Sequence, residues 1–515
     1  MDLQSYVCDQ PLRIGTARQL LIDDYLVEDR FGIERRLRLP LRYPKNPVLC
    51  ADRLWEGWGV MSPEVIYDPE RGLFRMWYNS GSVAAWYAQL AGAQQQWDPA
   101  VHGFTAFACY AESEDGVSWR KPDLGLIRYA DFADTNIVFT GNGGCGASQV
   151  FLDPREQDES RRYKMIYAEL VPERGTCLAY SPDGLRWTPA AQNPLIPGHY
   201  DTRNQVIWDE VHGRWVMITR PPIWAMRDYS LLGSVERKGR NLRRNGRRRV
   251  AVATSEDLLH WSFPRTVFGA DETDVEAGLP DVDSMKVWNY HGLFLGFATA
   301  TNTAGEGGTI RLVYSRDAIR WHQLPGRPAF LAPSEGDHFD SGWVTTVSAP
   351  VAMGSRWGLY YGGYSRSYEM TEYETAIGLV RLHPEGLVEQ HAGEQGGFLL
   401  TREFILEGDR LEVNCVLHNP TGDNAGSVQA ELITRPGPDS PAVWSRAGLE
   451  HSGYDVVPGH SLQECDRIAG NCEHVVVTWQ GNPDLRPWQG QAVYLRFFLR
   501  NAGLYAFQIA DSAAS

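Results

Sequence analysis

One seven-residue pattern recurs four times along the chain and restricts its fold more than any other feature. The copies are Ser113-Glu-Asp-Gly-Val-Ser-Trp119, Ser181-Pro-Asp-Gly-Leu-Arg-Trp187, Ser255-Glu-Asp-Leu-Leu-His-Trp261 and Ser315-Arg-Asp-Ala-Ile-Arg-Trp321, set 68, 74 and 60 residues apart. Each follows a short alternating or apolar run, at 105–110, 176–180, 249–254 and 309–314. Ser and Asp oxygens in such a turn accept hydrogen bonds from nearby amides, and the Trp covers the hairpin. The motif therefore reads as a structural turn between the outer two strands of a repeated unit.

A second pattern lies upstream of the turns. Val65-Ile-Tyr-Asp68 is followed by Leu73–Tyr78, Val150-Phe-Leu-Asp153 by Tyr163–Tyr167, and Val206-Ile-Trp-Asp209 by Arg214–Ile218. Weaker versions begin at Val287 and Val351, and the last unit has His383-Pro-Glu-Gly386 in place of the turn motif. Five units of four short strands are the signature of a β-propeller. The early strand Leu20–Val27 is expected to supply the outer strand of the last blade and so remove an exposed edge. Beyond about residue 395 the repeats stop, and runs at 399–407, 410–418, 427–434, 474–479 and 492–499 read as strands of a sandwich. The expected fold is all-β: a five-bladed propeller over 1–395, carrying catalysis, and an accessory β-sandwich over 396–515.

Charge and termini narrow the function classes. With 49 Lys and Arg against 64 Asp and Glu, the net charge is −15, which argues against nucleic acid as a partner. The 18 Trp, 23 Tyr and 51 Gly suit a strand-and-turn protein. No basic segment followed by an apolar run opens the chain, and no window is apolar enough to cross a bilayer, so a cytoplasmic location without membrane contact is expected. The eight cysteines form no CxxC pair and read as free thiols; Cys465 and Cys472 are near enough to pair only in an oxidising space. No zinc site is expected, and no residue is assigned as a metal ligand. Arg237–Arg249 holds eight basic residues in thirteen and reads as a solvated hairpin loop, with an anionic sugar or a neighbouring subunit as the alternative.

The chain resembles the superfamily of five-bladed propeller glycosidases that contains the arabinanases, levansucrases and invertases. It is most similar to a group of bacterial proteins described as family-32 N-terminal-like. The resemblance rests on Leu21-Ile-Asp-Asp-Tyr-Leu-Val27, the Ser-Asp-Trp turns, Phe339-Asp-Ser-Gly342, Leu411-Glu-Val-Asn414 and Tyr494–Arg500, and it spans nearly the whole chain. It implies a bacterial hydrolase of carbohydrate metabolism, needing no cofactor, in which carboxylates at the start of the innermost strands attack and protonate a glycosidic bond. The invertase-type Asn-Asp-Pro-Asn and Arg-Asp-Pro motifs are absent, and Ser62-Pro63 replaces the Asp-Pro of family 43. Retention or inversion is therefore not transferred. The Ser-Asp-Trp turns also resemble sialidase Asp boxes, but those enzymes use six blades and an arginine triad.

By this topology the segments before Val65, Val150, Val206, Val287 and Val351 converge on one mouth. Asp201 is the expected base or nucleophile, Glu64 the proton donor and Asp340 the third carboxylate. Trp55, Glu56, Trp58, Gln149, Arg203, Asn204, Gln205, Asp281, Asp283 and His338 are the expected sugar-binding residues, because aromatic faces stack on sugar rings and forked polar groups grip hydroxyls. Turn-forming or ion-pairing roles compete for Glu64, Asp201, Asp281, Asp283 and Asp340. A glycoside phosphorylase, with a cationic phosphate pocket near Arg203 or Arg220, is the alternative activity, and a non-catalytic carbohydrate binder the alternative class. A homo-oligomer and a structural Ca2+ are both compatible with the sequence, and no ligand spacing marks a site for the ion.

Overall fold

The computed structural model describes residues 10–512, apart from 58, 82–105, 143–144, 170–174, 199–201, most of 222–247, 302–306, 367–373, 419–424, 437–453 and 469–472. The chain divides into two compact units, Leu39–Leu382 and a second made of Met1–Arg38 with His383–Ser515. Among the described residues helix is confined to short turns such as Glu272–Glu276, and no helix is long and apolar enough to cross a membrane.

Among the described residues Leu39–Leu382 holds five successive antiparallel sheets of four or more strands, besides the two-stranded pair Glu236–Arg237 and Arg240–Asn241. The first runs Met61–Asp68, Leu73–Ser80, Phe107–Ser113, Ile137–Phe139. The second, third and fourth begin with Cys145–Leu152, Gln205–Asp209 and Asp281–Tyr290 and add their later strands in sequence order. The fifth runs Trp343–Val347, Arg356–Tyr364, Thr375–Leu382. Each first strand packs on the first strand of the next sheet, and Trp343–Val347 returns to Met61–Asp68, so the contacts form a closed cycle.

Apolar side chains interleave between neighbouring sheets, which explains why the strands are buried on both faces. Trp77 and Tyr110 pack with Val150 and Met165, Ile166 and Leu178 with Val206 and Met217, and Val65 and Met76 of the first sheet with Tyr360 and Leu379 of the fifth.

The four repeated turns have one construction. Asp115 Oδ1 accepts the amides of Val117 (2.8 Å) and Ser118 (2.7 Å), while the Gly116 amide donates to Ser113 Oγ (2.9 Å). Asp183, Asp257 and Asp317 repeat the two carboxylate bonds. The residue after the Asp takes a left-handed conformation in every copy: Gly116 (φ 72°), Gly184 (74°), Leu258 (68°) and Ala318 (60°). Glycine occupies the first two because a Cβ there would meet Tyr360 or Trp77 of the preceding sheet at under 3 Å. Those same side chains donate to the glycine carbonyls, Tyr360 Oη at 2.6 Å and Trp77 Nε1 at 2.7 Å. The motif is structural, as its chemistry predicts.

Two expectations need correction. The strand that pairs with Thr375–Leu382 is not Leu20–Val27 but Leu41–Arg42 and Leu49–Cys50, with Val380 opposite Arg42 and Ile377 opposite Leu49. These two-residue strands flank a proline-rich stretch and carry no alternation that a sequence reading would detect. Gln19–Leu20 pairs instead with Ala502–Ala510, and Val27–Phe31 with Gly397–Thr401. Leu21, Ile22 and Leu26 are fully buried, which fixes this segment in the second unit. The boundary therefore falls at 38/39 and 382/383, where a single one near 395 was expected.

In the second unit a seven-stranded sheet centred on Ala492–Arg500 and a six-stranded sheet centred on Ala502–Ala510 share one core. Leu399, Leu432, Leu495 and Phe497 enter it from the first, and Leu411, Val413, Leu504, Phe507 and Ile509 from the second. Cys109 and Cys145 are buried free thiols, and Cys177 and Cys415 are buried as well. Of the suggested Cys465–Cys472 pair only Cys465 is described, as a buried free thiol, and of the basic loop only Arg237, Arg240, Asn241, Arg248 and Arg249 are described.

Candidate active site

Four of the five first strands carry a register irregularity near their start: between Met61 and Glu64, Ala147 and Gln149, Val282 and Met285, and Thr345 and Val347. A bulge re-aims the side chains that follow it and is a common device beside active sites. At the first of them Ser62 is buried with φ 59°, a conformation that costs a non-glycine residue energy and that leads directly into Pro63 and Glu64.

Glu64 is paired with Lys286 of the fourth sheet's first strand, and the side chains are only 11% and 5% exposed. Burial pushes the Glu64 carboxyl above its usual range, with Lys286 and Arg203 opposing. Burial likewise pushes the Lys286 ammonium down; Glu64 opposes that and Arg203 adds to it. Both partners are thus displaced toward their neutral forms by loss of water, as a desolvated pair requires. The hydroxyls of Ser62 and Ser284, each two residues before a member of the pair, are buried without a hydrogen-bond partner.

Asp283 lies three residues before Lys286. Its carboxylate is bound by Arg248 and, at 3.3 Å, by Arg220, whose guanidinium also reaches the Asp283 carbonyl at 2.5 Å. Burial raises its pKa, but Arg248, Arg220 and Arg203 outweigh burial and hold the carboxyl below its usual value. Asp283 is therefore an anchored anion rather than a proton donor. Asp281 accepts the Arg248 amide at 2.6 Å, and the Thr202 hydroxyl donates to the Asp283 carbonyl at 3.3 Å. Glu64, Arg203, Asp281 and Asp283 thus belong to one network with Lys286, Arg220 and Arg248: four cations against three carboxylates among the described residues.

Other expected site residues serve the scaffold. Gln149 donates to the Val206 carbonyl (2.9 Å) and accepts the Val206 amide (2.8 Å); Gln205 makes the same pair with Val287 (2.8 and 2.7 Å). Each glutamine clasps the backbone of the next sheet's first strand. Asn204 is buried and accepts the Thr219 hydroxyl at 2.6 Å. Trp55 is buried and donates to Asn136 at 3.0 Å. Glu56 accepts from Tyr78 Oη (2.6 Å), Lys121 Nζ (2.7 Å) and two loop amides, so its carboxylate is fully engaged.

Asp340 is not part of the central network. It is held by Arg42 (3.2 Å) and Tyr361 Oη (2.8 Å), which ties the closing strand Leu41–Arg42 to the entrance of the fifth sheet. His338 is exposed, and its carbonyl closes a turn with Ser341. Asp201 and Trp58 lie outside the described residues. The sequence reading missed Lys286 as the partner of Glu64, although a lysine inside the apolar run Met285–Trp288 was a usable signal.

No protein-family model matches the chain, and no curated protein matches it in sequence. Among solved structures, an N-acetylgalactosamine deacetylase from F. plautii in complex with blood group B trisaccharide is similar at 13% identity. It matches over 69% of this chain and 97% of its own, with a TM-score of 0.42. A glycosyl hydrolase from Bacteroides ovatus shares 15% identity over 68% and 95% of the two chains, TM-score 0.44. A member of the GH130 family shares 15% identity over 71% and 97%, TM-score 0.43; it is described in connection with mannoside phosphorylases and with hydrolases that target β-1,2 mannosidic linkages in Candida mannan. Glycoside hydrolases recur among the similar structures, but at TM-scores below 0.5 these likenesses carry no weight in assigning activity.

Proposed function

We propose that Leu39–Leu382 is a five-bladed β-propeller, that the second unit is a β-sandwich, and that the protein cleaves a glycosidic bond at the centre of the propeller. The observation that carries the reading is Glu64: a buried carboxyl whose proton affinity is raised by burial, at a bulged strand entrance. A carboxyl shifted in this direction is suited to deliver a proton to a leaving oxygen. Lys286, already beside it, then stabilises the carboxylate left behind. The unpartnered hydroxyls of Ser62 and Ser284 are suited to sugar hydroxyls. Asp201 is the proposed base or nucleophile, and bond cleavage of this kind needs no cofactor.

A second reading, phosphorolysis, is favoured by the gathering of Arg203, Arg220, Arg248 and Lys286, since inorganic phosphate as nucleophile needs a cationic seat. Turnover of aryl glycosides and oligosaccharides with and without inorganic phosphate separates the two. Phosphate-independent release of reducing sugar supports hydrolysis, and phosphate-dependent formation of a sugar 1-phosphate supports phosphorolysis. In either case Glu64→Gln should lower kcat by about 10²–10⁴-fold. Full activity in that variant refutes the assignment of Glu64, and saccharide binding without turnover under all conditions identifies a binding protein.

A further inference from the structure

The second unit contains a side-chain cluster with no part in the proposed reaction. Glu389 and His391 lie on one strand, Val388–Ala392, two residues apart and so on the same face. His418 follows directly after the strand Arg410–Leu417. Between these strands runs Ala502–Ala510, where Gly503 sits opposite both His391 and Val416. A Cβ on Gly503 would come within 2.5 Å of Glu389 Oε2, so only a glycine leaves the cradle open for that carboxylate.

The three side chains converge. Glu389 Oε1 lies 3.5 Å from His391 Nδ1 and 3.4 Å from His418 Nε2, and the imidazole centroids are 4.8 Å apart in an edge-on arrangement. One ligand atom from each residue lies within 4.8 Å of the other two. The Glu389 side chain is 2% exposed, and neither its Oε2 nor His391 Nδ1 nor His418 Nε2 makes a hydrogen bond. Three buried polar atoms gathered without a hydrogen bond are a costly arrangement that a shared cation would satisfy.

Arg38, 43% exposed, approaches Glu389 no closer than 3.8 Å, and Arg36 is engaged by Glu34 at 2.8 Å. An ion bound by nitrogen and oxygen ligands at about 2.0–2.1 Å sets tetrahedral ligand atoms about 3.3–3.4 Å apart, close to the two measured edges.

We infer that Glu389, His391 and His418 form a binding site for one divalent transition-metal ion of the zinc type. Two imidazole nitrogens and one carboxylate oxygen leave a fourth position for water. The ion would tie the strand bearing Glu389 and His391 to the end of the strand preceding His418, across the gap that Gly503 keeps open.

The test uses the full chain, stripped with a chelator and titrated with Co2+ and then Zn2+. The expected result is one Co2+ per chain with the visible absorption of a tetrahedral ion, displaced stoichiometrically by Zn2+, and one Zn2+ retained through gel filtration. His418→Gln, at the more exposed edge of the cluster, should weaken Co2+ affinity by about 10-fold or more with an unchanged circular dichroism spectrum. Gly503→Ala should do the same by displacing the carboxylate. Absence of a stoichiometric metal in the wild-type chain overturns the inference regardless of how the variants fold. Undiminished affinity in folded His418→Gln overturns it as well.

Discussion

The buried pair Glu64–Lys286 yields a prediction in which two single substitutions respond to pH in opposite directions. Removing one partner of a buried ion pair costs about 3–5 kcal/mol when the other remains charged. Neither residue is obliged to remain charged, because burial already drives each toward its neutral form. In Glu64→Gln, Lys286 loses its counter-charge and keeps Arg203 as a cationic neighbour, so its folded-state pKa drops further below the unfolded value. A group with a depressed folded pKa contributes stability that is present above the unfolded pKa and lost as pH falls. Glu64→Gln should therefore become less stable relative to wild type as pH falls from 9 to 6, by up to about 1.4 kcal/mol per pH unit. In Lys286→Met the carboxyl of Glu64 stays buried with only Arg203 opposing the effect of burial, so its folded pKa is raised further. Its contribution is present below the unfolded pKa and lost as pH rises, so this variant should weaken with increasing pH at up to the same slope. The double variant Glu64→Gln/Lys286→Met removes both charges and should be nearly independent of pH in this window, at a stability close to wild type. Urea unfolding followed by tryptophan fluorescence at pH 5, 6, 7, 8 and 9 measures all four proteins. Slopes of the same sign in the two single variants would refute the reasoning, as would single variants indistinguishable from wild type throughout.

Two further outcomes test the scaffold around the site. Gln149→Ala strands the buried amide and carbonyl of Val206, each worth about 1–3 kcal/mol, so Tm should fall markedly while KM for any accepted saccharide stays within about twofold. A raised KM at unchanged Tm would restore Gln149 to the sugar. At the first repeated turn, burial raises the Asp115 carboxyl, but the amides of Ser118 and Val117 and the hydroxyls of Ser118 and Ser113 outweigh it and hold the pKa at about 2. This depressed value contributes stability above the ordinary carboxylate pKa that is lost as pH falls toward 2. Asp115→Asn should accordingly narrow the stability difference between pH 5 and pH 2.5, read from urea midpoints.

What the sequence disclosed was what is local. Ser113, Asp115, Gly116 and Trp119 make their decisive contacts within seven residues or against one neighbouring sheet, so the turn could be read from the motif alone. Polar residues before a strand look alike whether they form a buried ion pair, as Glu64 does with Lys286, or bind backbone, as Gln149 and Gln205 do. The partners that distinguish them lie far off in sequence: Val206 is 57 residues from Gln149, and Lys286 is 222 from Glu64. The Asp340 pairing was hidden for the same reason, since its partner Arg42 lies 298 residues away on a strand too short to announce itself. The cluster of Glu389, His391 and His418 was hidden by spacing and by a glycine on a third strand.

The second unit is assembled from both sides of a long excursion, and this has a consequence for how the chain is made. On a ribosome, strands Gln19–Leu20, Val27–Phe31 and Glu34–Leu37 emerge hundreds of residues before the strands they pair with. Joining ends separated by about 340 flexible residues would cost about 5 kcal/mol in chain entropy. An intervening unit that folds first would remove most of that cost. When Leu41 pairs with Arg381, the flanking segments are brought together, and Leu37 needs only to meet Val388. Order of synthesis and order of folding should therefore differ, with the earliest residues among the last to find their places.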